Sequence, residues 1–233
     1  MSPELMNITD CAAALRQGEL VAVPTETVYG LAANALDDQA VHRIYAAKGR
    51  PAWNPLIVHV GSTEEAKQLA VWNGLATKLA ESLWPGPLTL VLPDRGVVSR
   101  QVLAGGNTIG LRLPNHSLFL SLLLETKLPL AAPSANKFTE LSPTRFEDIN
   151  PDILEHCSGA LNGGPCVVGI ESTVVAVNSD SLSILRHGMI TQSQLQEYAP
   201  TIVAENSELN ASPGQHYRHY NPGITNPASF ASP

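Results

Sequence analysis

The 233 residues suffice for one large α/β domain, or for one domain with an appendage, and at 44% hydrophobic they exclude wholesale disorder. Fourteen basic residues against twenty-one acidic ones leave a net charge of −7, the opposite of the balance carried by a chain that grips a long stretch of nucleic acid. Cys11, Cys157 and Cys166 are odd in number and widely spaced with no CxxC, which argues against a disulfide framework or zinc site and for reduced thiols in a cytosolic protein.

The N-terminus, MSPELMNITD, has no basic stretch followed by an apolar one, so it does not read as a secretory signal. The most apolar run, Leu118 to Leu124, is broken by Ser121 and is too short to span a bilayer, so no membrane anchor is expected. The first strand is predicted over 20–23 and ends at Pro24, followed by Thr25-Glu26-Thr27-Val28-Tyr29-Gly30. Hydroxyls and a Gly after a strand place donors in a crevice where ligands commonly sit, although the same spacing suits an ordinary strand-to-helix loop. Asp37 or Asp38 caps a helix with Val41, Ile44, Tyr45 and Lys48 on one face. Lys48 closes that helix, where the helix dipole alone would favour it. Arg50 lies just beyond, stiffened by Pro51, and its rigid fork suits phosphate or carboxylate.

A strand over 56–60 carries His59, which by itself suits a satisfied core residue. Ser62-x-x-Glu65 reads as a capping box, Asn73 opens a leucine-faced helix, and a strand over 88–92 follows. The strand over 108–113 contains Arg112 among apolar neighbours, and a buried guanidinium needs an anion, either an internal carboxylate or a ligand. Asn115 precedes a further helix, and a strand over 128–132 runs into Pro133-Ser134-Ala135-Asn136 and then Ser142-Pro143-Thr144, small donors suited to phosphate oxygens. Glu171-Ser172 leads into a strand over 173–177. The last predicted strand, 182–185, leads into Arg186-His187-Gly188, and Thr191 opens the last helix. Strands and helices mixed without strict alternation give an α/β or α+β fold, a twisted mixed sheet of about seven strands flanked by helices, with an open anion-binding cleft. Beyond Asn206 four prolines, four serines and two glycines with few aliphatics read as a linker or tail, interrupted by His216-Tyr217-Arg218-His219-Tyr220.

Phosphate-binding signatures of the usual kinds are missing. Gly105 to Gly110 has the P-loop glycine spacing, but Leu111 stands where Lys belongs, and neither GxGxxG nor GxSxG occurs. His216-x-x-His219 is the only close His pair and lacks further ligands for a metal. A nucleotide here would rest on Arg, Lys and hydroxyl groups, and spacing alone stops at an anion cleft.

Together, PTETVYGLAANA, KGRPAWNPLIVHV, WPGPLTLVL, TIGLRLP, PSAN, SPT, EST and LRHG resemble the YrdC-like family in order and spacing across about residues 5–205. SPGQHYRHYNP is similar to the linker of the family's longer members, which continue into a small Rossmann-like C-terminal domain that this sequence lacks. The resemblance implies a catalytic domain over 1–206 and a linker over 207–233. It implies condensation of L-threonine, bicarbonate (or CO2) and ATP into threonylcarbamoyl-AMP and pyrophosphate, a nucleotidyltransferase reaction. Mg²⁺ would enter with the ATP phosphates, with no ligand from the protein. A partner complex would then transfer the threonylcarbamoyl group to N6 of adenosine 37 in tRNAs reading ANN codons, with tRNA met weakly or indirectly, in the cytoplasm. Threonine contacts would come from Thr27, His59, Arg112, the backbone at Ala132, and Ser172. ATP contacts would come from Arg50, Asn54, Thr108, Ser134, Ser142 and Arg186, with Lys48 and Asn136 completing the Lys-x-Arg and Ser-x-Asn pairs. Lys48 and Arg50 would be catalytic, and Tyr217, His219 and Tyr220 would form a lid. Two rivals stand beside this reading: a carbamoyl-adenylate domain of a larger carbamoyltransferase, and an RNA-binding module, which the −7 charge disfavours.

Overall fold

The computed structural model describes residues 5–204. Among them ten strands form one sheet, in the order β10-β9-β8-β4-β5-β3-β6-β2-β1-β7. The strands are β1 (Leu20–Val23), β2 (Gly30–Asn34), β3 (Ile57–His59), β4 (Leu88–Pro93) and β5 (Thr108–Arg112), then β6 (Leu130–Ala131), β7 (Cys157–Ala160), β8 (Thr173–Val177), β9 (Leu182–Arg186) and β10 (Thr201–Val203). Pairs β1–β7, β3–β5, β4–β8 and β9–β10 are parallel and the other neighbours antiparallel, so the sheet is mixed, as expected. The sheet is larger than expected. The seven expected strands are present, and β2, β7 and β10 join them.

Helix α1 (Ile8–Arg16), capped by Asn7 through the Asp10 N–H, is not among the expected helices, although Cys11, Ala14 and Leu15 follow the spacing of one helical face. It packs with α5 (Ser117–Thr126) on one face of the sheet, burying Cys11, Leu15, Phe119 and Leu122 against Val21, Val23 and Leu130. The opposite face carries α2 (Asp38–Lys48), α3 (Thr63–Leu69) and α4 (Gly74–Leu83), which bury Ile44, Leu69 and Leu79 with Leu31, Val58 and Leu90. The caps mostly follow the sequence. Asp37 accepts from Gln39 and Ala40 N–H, Ser62 from Glu65 N–H, and Asn73 from Ala76 N–H. Glu65, however, reaches past the cap to the Gly61 N–H at 2.8 Å, and α5 begins after His116 with no side-chain cap. Among the described residues no helix is long and apolar enough to cross a membrane.

Register decides what faces the site. Ile57 lies opposite Gly110 and His59 opposite Arg112 in the parallel β3–β5 pair. Side chains alternate along a strand. His59 and Ile57 therefore share a face with Arg112, Gly110 and Thr108, the face that also bears α1 and α5.

Candidate active site

Where β1 ends, Pro24 has no N–H to continue the ladder. The turn that follows is built on Thr25. Its hydroxyl donates to the Val28 carbonyl at 2.7 Å and accepts from the N–H groups of Thr27 at 3.0 Å and Val28 at 3.1 Å. The Thr27 hydroxyl lies 2.8 Å from that of Thr25. Whichever hydroxyl donates in this pair, the Thr27 oxygen keeps a lone pair free to accept.

Arg112 projects from the end of β5 into this corner. One of its terminal nitrogens lies 2.8 Å from Oε1 of Glu26, both side chains being nearly inaccessible, and its Nε donates to the Gly86 carbonyl at 3.3 Å. The Glu26 oxygens and that Arg112 nitrogen nonetheless lack an aligned hydrogen bond, so the pair is held by charge and proximity. The internal carboxylate foreseen as one possible partner of Arg112 is thus Glu26, yet Arg112 also lines a cleft. His59 sits beside it, fully buried, with neither ring nitrogen making a hydrogen bond of good geometry. Burial chiefly, and the Arg112 charge next, hold its pKa well below the usual value, with the Leu130 backbone opposing weakly, so the imidazole is neutral at physiological pH.

A second corner forms where α2 stops. Gly49 takes the left-handed conformation at φ 61°, which a residue with a Cβ resists, and the chain reverses into Arg50. Arg50 is clamped by its own loop: Nε and one terminal nitrogen donate to the Asn54 carbonyl at 3.1 Å, to Asn54 Oδ1 at 2.6 Å and to the Pro55 carbonyl at 2.8 Å. The other terminal nitrogen is unused by these bonds. Burial lowers its pKa to about 10, still charged at neutral pH. Lys48 does not line the cleft. Its ammonium donates to the carbonyls of Ser134 and, at 2.6 Å, Asn136, tying the Ser-x-Asn loop from behind. Asn136 is likewise turned from the cleft, its amide donating to the carbonyls of Lys137 and Glu140.

The third corner is a polar chain at the start of β8. Ser142 donates to Glu171 Oε1 at 2.9 Å, and Glu171 Oε2 pairs with Arg186 at 3.0 Å. Arg186 donates through Nε to the Ser172 carbonyl at 3.1 Å and through a terminal nitrogen to Ser172 Oγ at 3.0 Å. Ser172 Oγ in turn lies 2.8 Å from Thr89 Oγ1.

These corners open on one cleft of about 520 Å³, mouth included, lined by Thr27, Arg50, His59, Arg112, Ala132, Ser134, Ser172 and Arg186, and by Thr25 and Glu171. Of the other foreseen residues, Asn54 and Ser142 reach it through Arg50 and Glu171. Thr108 is on the same sheet face but at the far end of β5, about 13 Å along the strand from Arg112. Tyr217, His219 and Tyr220 lie outside the described residues. Thr25, Glu26 and Glu171 fall inside motifs of the sequence that by themselves assign them no role. A carboxylate in an anion cleft announces itself only once its cation partner is seen.

Comparison with known proteins places this geometry among relatives. The family profile Sua5_yciO_yrdC, described as "Telomere recombination", matches residues 13–188. The chain is similar to the threonylcarbamoyl-AMP synthase of Bacillus subtilis (strain 168), 43% identical over 225 residues, which is 92% of this chain and 64% of that protein. It is also similar to Pyrococcus abyssi Sua5 in its crystal structure complexed with L-threonine, with a TM-score of 0.86 at 41% identity, over 91% of this chain and 65% of that one. Full-length HypF in its phosphate- and nucleotide-bound form shares the fold alone, at TM-score 0.68 and 24% identity, over 78% of this chain and 29% of that one. The chain thus spans slightly less than two thirds of the first two relatives.

Proposed function

We propose, from the premise that this chain belongs to the Sua5_yciO_yrdC family, that it is an L-threonylcarbamoyladenylate synthase. It condenses L-threonine, bicarbonate or CO2, and MgATP into threonylcarbamoyl-AMP and pyrophosphate. The observation that carries the reading is a single cleft lined by Arg50, Arg112 and Arg186 together with Thr27, Ser134 and Ser172. Three guanidinium groups around one small cleft call for a polyanion. The names of the relatives supply the chemistry.

In this mechanism Arg112 meets the threonine carboxylate, with Glu26 behind it keeping the guanidinium oriented. Thr27, with a lone pair free to accept, faces the ammonium. The neutral His59 offers a further acceptor at the buried end. The ammonium gives up a proton to solvent, the amine adds to CO2 with loss of a second proton to give the carbamate, and a carbamate oxygen then attacks the α-phosphate as the bond to pyrophosphate breaks. No protein nucleophile is needed. The residues hold two reactants in line, exclude water and stabilise charge on the phosphates. Arg50, Ser134, Ser142 and Arg186 hold the phosphates, while Lys48 and Asn136 fix the loop that presents Ser134. Mg²⁺ would enter as part of the nucleotide substrate and would offset charge on its phosphates.

In the same reading residues 1–206 are the catalytic domain and 207–233 a linker. The protein works in the cytoplasm and passes its product to a threonylcarbamoyl-transferase complex for position 37 of ANN-decoding tRNAs. The deciding assay is pyrophosphate release from ATP. Release should require both threonine and bicarbonate. Release that persists undiminished without threonine ends this reading and favours a carbamoyl-adenylate activity.

A further inference from the structure

We propose that Glu171 competes with the nucleotide for its own phosphate donors, so that ATP binds by displacing this carboxylate from Ser142 and Arg186. The proposal rests on the nucleotide reading above and deepens it. Arg186 has three nitrogens and all three are engaged: Nε on the Ser172 carbonyl at 3.1 Å, one terminal nitrogen on Ser172 Oγ at 3.0 Å, the other on Glu171 Oε2 at 3.0 Å. Ser142 has one hydroxyl hydrogen, and it is given to Glu171 Oε1 at 2.9 Å. One carboxylate therefore spans both groups, its two oxygens standing where two phosphate oxygens would.

The two sets of bonds to Arg186 differ in kind. Those from Ser172 come from the start of β8 and fix the guanidinium plane. The bond from Glu171 comes from a side chain that lines the cleft and keeps 18% of its surface accessible. It is the contact that a ligand can reach. A phosphate cannot join the carboxylate on Arg186, because two like charges at that separation repel strongly in a poorly hydrated cleft. The consequence is a nucleotide held less tightly than three arginines would hold it alone. When pyrophosphate departs, an internal anion is ready to take its donors back.

Calorimetry on the full 233-residue chain tests this, with MgATP and with pyrophosphate as separate titrants, for wild type and Glu171→Gln. The neutral amide keeps the shape and removes the competing charge, so both titrants should bind about tenfold tighter, with threonine affinity unchanged. MgATP binding that Glu171→Gln leaves equal or weakens overturns the proposal alone. If wild type binds no nucleotide at all, the functional reading falls and takes this proposal with it. Should Glu171→Gln melt far below wild type, Glu171→Asp replaces it. Its shorter stem cannot span both donors, and tightening in the same direction is required.

Discussion

The ammonium of Lys48 has lost its water and gained two carbonyl oxygens, and desolvation, aided by the nearby Arg50 charge, brings its pKa down from 10.5 to about 7. In the unfolded chain the same group keeps its proton to about pH 10.5. Between those values the unfolded state binds more protons, so stability gained from this residue rises as pH rises from 7, and is flat below 7, where both states are protonated. Subtracting the stability of Lys48→Met from that of wild type isolates this effect. The difference should grow by up to about 1.4 kcal/mol per pH unit between pH 7 and 10 in denaturant titrations. A difference that stays level over that range would mean that the two carbonyls and the field of Glu171 fully compensate burial. The sequence showed that Lys48 and Arg50 bracket a helix end but not that one faces away from the cleft. That outcome turns on Gly49, whose left-handed turn sends successive side chains in opposite directions.

At the level of elements, the segments that carry the cleft are fixed by close backbone approach as much as by side chains. A Cβ on Gly188 would stand 2.5 Å from the Glu171 carbonyl oxygen and 2.7 Å from the Ser172 carbonyl carbon, so the chain leaving β9 lies directly on the chain entering β8. Gly188→Ala must push the two apart. It should cost about 1–3 kcal/mol in stability by chemical denaturation and also weaken nucleotide binding, because Ser172 positions Arg186. Unchanged binding would detach the Ser172 segment from the phosphate site. The longer runs of valine, isoleucine and leucine were legible, and the three strands that were missed fall into two kinds. β2, Gly-Leu-Ala-Ala-Asn, and β7, Cys-Ser-Gly-Ala, have no β-branched residue, whereas β10 is Thr-Ile-Val but only three residues long, directly after Pro200. Their conformation is imposed by neighbours, β1 pairing on both sides with β2 and β7.

For the molecule as a whole, ligand binding and folding are linked, because the cleft is lined from strand ends scattered between β1 and β9 that come together only in the native state. Threonine at a hundred times its Kd should raise the unfolding free energy by about 2.7 kcal/mol, seen as a higher melting temperature. Valine, isosteric without the hydroxyl, should fall well short of that. Equal shifts from the two amino acids would remove His59 from recognition of the side-chain hydroxyl. The sheet's parallel pairs have another effect. β1 (Leu20–Val23) is flanked by β7 (Cys157–Ala160), and β4 (Leu88–Pro93) by β8 (Thr173–Val177), so early strands wait for late partners. Chains with such long-range pairing pay loop entropy before contacts repay it. During synthesis, then, no working pocket exists until the ribosome has delivered Arg186, and a nascent chain stalled before that point would expose raw strand edges in need of a chaperone.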